Sequence, residues 1–337
     1  MASLVNLASG DRLNLRVEGK ILLSESVKNG KSRQTQKEFE SIDEAQKACI
    51  KKEWESLKKG YVLQNSDAKA GEASLHVYIG GGYTGALAFA GAEGELFVYK
   101  CGGYKEGGAL DDFLIRLDAS GAVKQQIVLP KPLAWHAERA GEILLLDLDH
   151  DIFKFNPQTG EFTNVFKELK IKRNGDITSC VCASGEAAAF AAYGQIYVLR
   201  DGGFLSLGKY KTDSGCGAAF CIALSDVCFL NDGSLLGREY YGGSLVCFDA
   251  AGSRQTPAWM RGECAKAQKI CVSTDGLRLA LISYDKARII DLKSGNLRLN
   301  FELSHVVKRC EAKFERINGE EFLAVRTDYG CFSLYRV

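Results

Sequence analysis

Histidine is scarce in this chain of 337 residues, which has only His76, His136, His150 and His305. No two of them stand in an H-x-H, H-x-x-x-H or H-E-x-x-H spacing, so the local ligand pairs typical of zinc enzymes are missing. Paired C-x-x-C knuckles are missing too: Cys180 and Cys182 form C-x-C, and Cys216 and Cys221 are five positions apart. No metal and no cofactor are expected. There is no uninterrupted run of about twenty apolar residues, which excludes a conventional spanning helix and any expectation of a membrane partner. The opening MASLVNLASGDRLNLRVEGK has neither the basic head nor the apolar core of a secretory signal, so the expected location is the cytosol. Charge of one sign is lacking as well. With 43 Lys and Arg against 42 Asp and Glu, the net charge of +1 falls short of the basic excess with which dedicated polyanion binders displace counterions.

What the chain does have is a repeat. A glycine turn running into an apolar strand recurs at Gly94, Gly141, Gly185, Gly233, Gly276 and Gly319, in steps of 47, 44, 48, 43 and 43 residues. A second turn follows in most units and ends strands such as FLIRLDASG (113 to 121), IFKFNPQTG (152 to 160) and ARIIDLKSG (287 to 295). A period in the forties holds four short strands and their turns, the size of one propeller blade. Six such units predict a six-bladed β-propeller over residues 74 to 337. The last unit ends one outer strand short, and SLHVYI (74 to 79) is left over before the first. A ring in which that N-terminal strand completes the final blade removes both open edges. The twelve cysteines sit mostly inside apolar strands such as ITSCVCAS, where reduced thiols act as small hydrophobes.

Residues 1 to 65 read as a separate small α+β domain. RLNLRVEG (12 to 19) puts Leu13, Leu15 and Val17 on one strand face, and KILLSES is expected to pair with it. The helix that follows is well punctuated: Ser41 as N-cap with Glu44 three residues on, and Gly60 as the left-handed exit. Ile50, Trp54, Leu57 and Tyr61 recur at helical spacing and are expected to pack onto the small sheet. The polar stretch 66 to 73 is read as a linker.

The order VEGK, NGKSRQTQKEFES, DEAQKA and SLKKGYV, over about residues 12 to 63, resembles the WGR module found near bacterial regulators and in poly(ADP-ribose) polymerases. In the DNA-binding members of that family, aromatic and basic groups contact broken DNA ends. Here the Trp-Gly-Arg tripeptide would fall near Ser24 to Val27, where the chain reads SESV, so DNA binding does not carry over. Residues 1 to 60 hold 12 basic and 9 acidic residues, and their densest basic stretch is Lys28, Lys31, Arg33 and Lys37. Those four are the residues a nucleic-acid adaptor would use. The D-x-x-[S/T]-G turns at Asp118 and Asp291, with variants at Asn156 and Asp249, resemble those of WD-repeat proteins. The resemblance is architectural, because the Trp-Asp dipeptide and the Gly-His pair are absent from every unit.

No nucleophile and base are clustered in sequence. DLDHD (147 to 151) gathers three carboxylates and a histidine, but an oxygen cage needs five or more further ligands, and a solvated turn is the expectation. GGGYTG (80 to 85) leads into a strand and therefore offers no helix N-terminus to a phosphate. The connection between the second and third strands of a unit carries tyrosine in five of six: Tyr104, Tyr193, Tyr240 with Tyr241, Tyr284 and Tyr329, with His150 in the remaining one. The links entering each blade lie on the same face and carry Lys131, Arg173, Lys211, Lys266, Lys269, Lys308 and Arg309. Tyrosine concentrates binding energy at interfaces, and it is also a good residue for a strand end. The reading preferred from sequence is a non-enzymatic interaction protein that docks a protein or peptide on this face, with Arg173, Lys266 and Arg309 steering an anionic segment. A lactonase- or quinoprotein-like enzyme and a nucleic-acid adaptor stay open beside it.

Overall fold

A computed structural model describes residues 2–82, 87–88, 95–168, 178–192, 195–200, 203–209, 224–240, 243–260 and 267–337. The chain opens with strands β1 (Ala2–Asn6), β2 (Arg12–Glu18), β3 (Ile21–Lys28) and β4 (Lys31–Glu38), helix α1 (Ile42–Leu57), then β5 (Tyr61–Gln64) and β6 (Ala73–Tyr78). The repeats follow as five separate antiparallel sheets. The first holds β7 (Leu96–Lys100), β10 (Phe113–Leu117) and β11 (Val123–Val128), with a small hairpin of β8 (Tyr104–Lys105) and β9 (Gly108–Ala109) inserted after β7. The second holds β12 (Leu133–Arg139), β13 (Glu142–Asp147), β14 (Ile152–Phe155) and β15 (Phe162–Asn164), followed by a single helical turn, α2 (Val165–Glu168). The third holds β16 (Thr178–Ser184), β17 (Ala187–Ala192), β18 (Gln195–Arg200) and β19 (Gly203–Lys209). The fourth holds β20 (Leu224–Phe229), β21 (Leu235–Glu239) and β22 (Leu245–Phe248), and the fifth β23 (Lys269–Val272), β24 (Arg278–Ser283), β25 (Lys286–Asp291) and β26 (Leu297–Glu302).

This is a mainly β propeller arrangement with five blades, not the six that the repeat predicts. The sixth unit, β27 (Cys310–Ile317), β28 (Glu320–Thr327) and β29 (Cys331–Arg336), does not stand as a blade of its own. It continues through β6 and β5 into one nine-stranded sheet of order β27-β28-β29-β6-β5-β1-β2-β3-β4. The cause is the register of β6, which pairs on one side with β29 (Phe332 opposite Val77) and on the other with β5 (Leu63 opposite His76). For the same reason no distinct WGR-like domain is seen: its strands are part of the sheet that carries the last repeat. Of residues 66–73, expected as a linker, 66–72 lie in the turn between paired β5 and β6, held by hydrogen bonds such as Gly71 N–H to the Arg336 carbonyl (2.8 Å), and Ala73 opens β6.

Packing between the sheets follows from continuous apolar runs in their central strands. EILLLD of β13 is buried along nearly its whole length, as a strand covered on both faces must be. Phe322, Phe332 and Leu334 of the last unit join Phe97, Leu114, Ile143 and Phe155 of the first two blades in one core, while Phe314 and Tyr335 join Ile282 and Ile289 of the fifth blade in another. The last unit therefore sits between the fifth blade and the first. Blade one also touches the β5–β6 junction: Gln64 Nε2 donates to the Ser120 carbonyl at 2.7 Å. Gly121 turns there at φ +83°, where a Cβ would stand 2.6 Å from Val77 Cγ2.

Helix α1 starts as expected, with the Glu44 amide donating to Ser41 Oγ at 3.2 Å. Its packing face keeps Leu57 and Tyr61 of the expected stripe in the core, with Trp54 half-buried against them. Ile50 is exposed, and the buried side is Ala45, Glu53, Ser56 and Leu57, because small residues let the helix lie close on β2 and β3. Trp54 also covers the turn after β28, its ring 4.9 Å from that of Tyr329, with Lys58 Nζ 3.7 Å from the indole centroid. Among the described residues no helix is long and apolar enough to cross a membrane.

Candidate functional site

Antiparallel order sends all connections between second and third strands to one face of the ring. On that face Tyr240 is 50% exposed, Tyr284 60% and Tyr329 43%. Leu148 in blade two and Leu110 in the insertion of blade one are exposed at the equivalent connection, and Val307 on the link into the last unit joins them. Tyr284 adopts φ 54°, a left-handed turn conformation that few non-glycine residues occupy. Tyr104 lies in the inserted hairpin, on β8. Tyr193, Tyr241, Arg173, Lys211 and Lys266 lie outside the described residues.

Charge on this face is mixed. Lys308 and Arg309 are exposed, and the backbone N–H groups of Val307, Lys308 and Arg309 donate to the Asp328 carboxylate at 2.8–3.1 Å. Lys131 is held by Asp149 at 2.7 Å and Asp147 at 3.4 Å, so the DLDHD carboxylates face a lysine. Asp147 also accepts the Asp151 amide at 2.7 Å, while His150 Nδ1 stands 2.8 Å from the Thr178 carbonyl oxygen. Lys269, expected on the face, is buried inside the ring.

The first strands of successive units, β12, β16, β20, β23 and β27, lie side by side around the axis. Between them is a cavity of about 270 Å³ whose lining includes His136, Glu138, Cys182, Cys228, Lys313 and Glu315. Gly185, Asn231 and Gly276, from turns between first and second strands, also line it, so it lies towards the end of the ring opposite the tyrosines. Lys313 Nζ stands 3.2 Å from Glu315 and 3.4 Å from His136 Nε2. Burial drives the His136 imidazole well below its ordinary value, aided by the Lys313 and Lys269 charges, so it is neutral. Burial raises Glu315 well above the carboxylate range, with Lys313 opposing and Glu138 adding repulsion; Glu138 is raised too, by burial. Towards the tyrosine end, Lys269 bridges Asp226 (2.6 Å) and Glu311 (2.7 Å) beneath the Trp135 ring. The channel thiols Cys182 and Cys228 are half-buried, and desolvation in the channel wall pushes Cys228 up to about 12, which keeps it an unreactive thiol.

A carboxylate with a raised folded pKa loses stability as pH rises through it. Glu138→Gln is therefore expected to stabilise the protein at pH 8 by on the order of 1 kcal/mol, and to be neutral near pH 4. Urea unfolding at the two pH values checks this; an equal effect at both would refute it.

Lys28, Lys31, Arg33 and Lys37 are all exposed, on β3 and the edge strand β4. Alternation places Lys31, Arg33 and Lys37 on one side of β4, with Lys37 Nζ 5.0 Å from the Phe39 ring. Sequence reasoning missed the channel set, because its members lie in five strands tens of residues apart. Their only signal was charge inside otherwise apolar strands, as in CEAKFERI.

No family model and no curated protein matches the chain. Among solved structures, a structural-genomics protein of unknown function from Bacteroides thetaiotaomicron is similar with a TM-score of 0.53 at 8% identity, over 99% of this chain and 90% of that one. Streptogramin B lyase is similar at TM-score 0.46 and 15% identity, over 80% and 86% of the two chains. The β-propeller domain of Cps50 from Myceliophteria thermophila is similar at TM-score 0.44 and 10% identity, over 100% and 96%. At these identities the likeness is one of fold.

Proposed function

We propose that this protein is a docking module that holds a protein or peptide partner against the tyrosine-bearing face of the propeller. The observation that supports the reading is the recurrence of an exposed aromatic or aliphatic residue at one structural position: Leu110, Leu148, Tyr240, Tyr284 and Tyr329. Scattered exposed apolar residues need no explanation, whereas a ring of them on one rigid face matches the anatomy of an interface. Tyrosines fixed at turns lose little entropy on binding, and their hydroxyls tolerate water in the free state. Lys308 and Arg309 at the rim, with Arg173 and Lys266 on the entering links, would set the partner's orientation.

The test is capture from native lysate with the tagged protein, comparing wild type with Tyr240→Ala/Tyr284→Ala. Neither side chain supports the core, so the circular dichroism spectrum and melting temperature should not change. Loss of two anchors worth about 2 kcal/mol each lowers capture more than a hundredfold. Equal capture by both forms would sink the reading.

A second reading places a small polar ligand, or its chemistry, in the channel. It rests on the cavity of about 270 Å³ and the neutral His136 beside the Lys313–Glu315 pair. Thermal-shift screening against carboxylate- and amine-bearing metabolites separates the two, since a channel ligand would still bind the Tyr240→Ala/Tyr284→Ala variant.

A further inference from the structure

Helix α1 meets the last sheet through a buried polar cluster that docking on the tyrosine face does not use. Glu53 comes from α1, His76 from β6, and His305 from the connection after β26; they are 8%, 2% and 6% exposed. Glu53 Oε1 lies 2.7 Å from His305 Nε2 and 3.8 Å from His76 Nε2, and the three donor atoms all fall within 4.8 Å of one another. His76 Nδ1 is 2.6 Å from Ser333 Oγ, which fixes the ring and leaves Nε2 directed at the carboxylate. A hydrogen-bonded partner on the remote nitrogen is how metal-bound imidazoles are oriented.

One carboxylate and two imidazoles form a donor set that suits first-row divalent transition metals rather than calcium or magnesium. With bond lengths of about 2.0–2.1 Å, tetrahedral zinc places its donors about 3.3 Å apart. The distances of 2.7 and 3.8 Å from the carboxylate stand on either side of that value, and the two imidazole nitrogens lie within 4.8 Å of each other, so side-chain rotations would bring the three donors onto one ion. We propose that Glu53, His76 and His305 bind one zinc ion that staples α1 to the sheet carrying the last repeat. Entry of the ion requires the His305 proton to sit on Nδ1, so that Nε2 offers its lone pair. The fourth position is left to a further donor.

The test uses the full chain without a histidine tag, unfolded, stripped with chelator and refolded with or without zinc. After dialysis, elemental analysis is expected to find about one zinc per chain, and melting temperature is expected to rise with zinc but not with magnesium. Cobalt in its place should give visible d–d absorption, absent in Glu53→Gln and in His76→Gln. Should those variants fail to fold, zinc content and melting temperature of the refolded wild type decide alone. Wild type that refolds without retaining zinc and melts at the same temperature with and without it overturns the proposal. So does an ion retained undiminished by folded Glu53→Gln and His76→Gln.

Discussion

Replacing Lys269 by methionine is expected to lower the stability of the protein by about 3–5 kcal/mol, because it removes the cation between two carboxylates that remain in the channel wall. Asp226 is 1% exposed and Lys269 5%, so water cannot take over the lost contact. The gain of an apolar side chain against Trp135 offsets little, since the penalty is the desolvation of charges left behind. The pH dependence identifies the cause. Against the effect of burial, Asp226 and Glu311 hold the Lys269 ammonium above the ordinary 10.5. A base with a raised folded pKa contributes fully below its unfolded value and loses the contribution only as pH rises through the folded one, so wild-type stability from this pair is flat between about pH 6 and 9. In Lys269→Met the stranded carboxylates recover stability by taking up protons as pH falls. Adding Asp226→Asn should restore part of the loss at neutral pH, a coupling that a double-mutant cycle reads directly. A loss under about 1 kcal/mol in urea unfolding at pH 7 would refute this account.

Arg326→Met should be nearly as severe. Among the described residues, Arg326 on β28 is the largest side chain that is fully buried. Its guanidinium donates to the carbonyls of Thr327 (2.6 Å), Gly80 (2.8 Å) and Tyr99 (3.4 Å), reaching from the last unit across to blade one. Methionine fills most of the volume but leaves those buried carbonyls short of donors, at about 1–3 kcal/mol each, for an expected loss of about 3–5 kcal/mol. Lysine should recover less than half, because a point ammonium cannot fork to three acceptors. The expected signature is a lower melting temperature, with Arg326→Lys between wild type and Arg326→Met. If Arg326→Lys matched wild type, the fork would not be what closes this junction.

Much of the fold was legible because it rests on local rules. The glycine turns and apolar runs mark strands whose spacing is set by four strands and their connections, and the capping residues of α1 behave as their chemistry requires. The exposed turn tyrosines Tyr240, Tyr284 and Tyr329 follow from counting strands within a unit. Leu57 and Tyr61 of the α1 stripe reach the core as expected, while Ile50 faces solvent, because helical periodicity says which residues share a face, not how far the contact with the sheet extends along it. Ala45, Glu53 and Ser56 complete the contact beside Leu57. The channel ion pairs and the Glu53, His76 and His305 cluster left no trace in spacing. The last three are separated by 23 and 229 positions, beyond any motif window.

By itself, the sequence determined a β protein built of repeated units in the forties, the location of its turns, and the identity of the residues at those turns. These depend on backbone dihedrals and on hydrophobic alternation within a few residues. Only the tertiary structure decided that there are five separate blades, that the last repeat merges with the N-terminal strands into one sheet, and that buried charges from distant strands meet along the axis. Those outcomes depend on which strand edges pair and which faces pack, and pairing joins residues with no relation in sequence: Leu63 to His76 to Ser333.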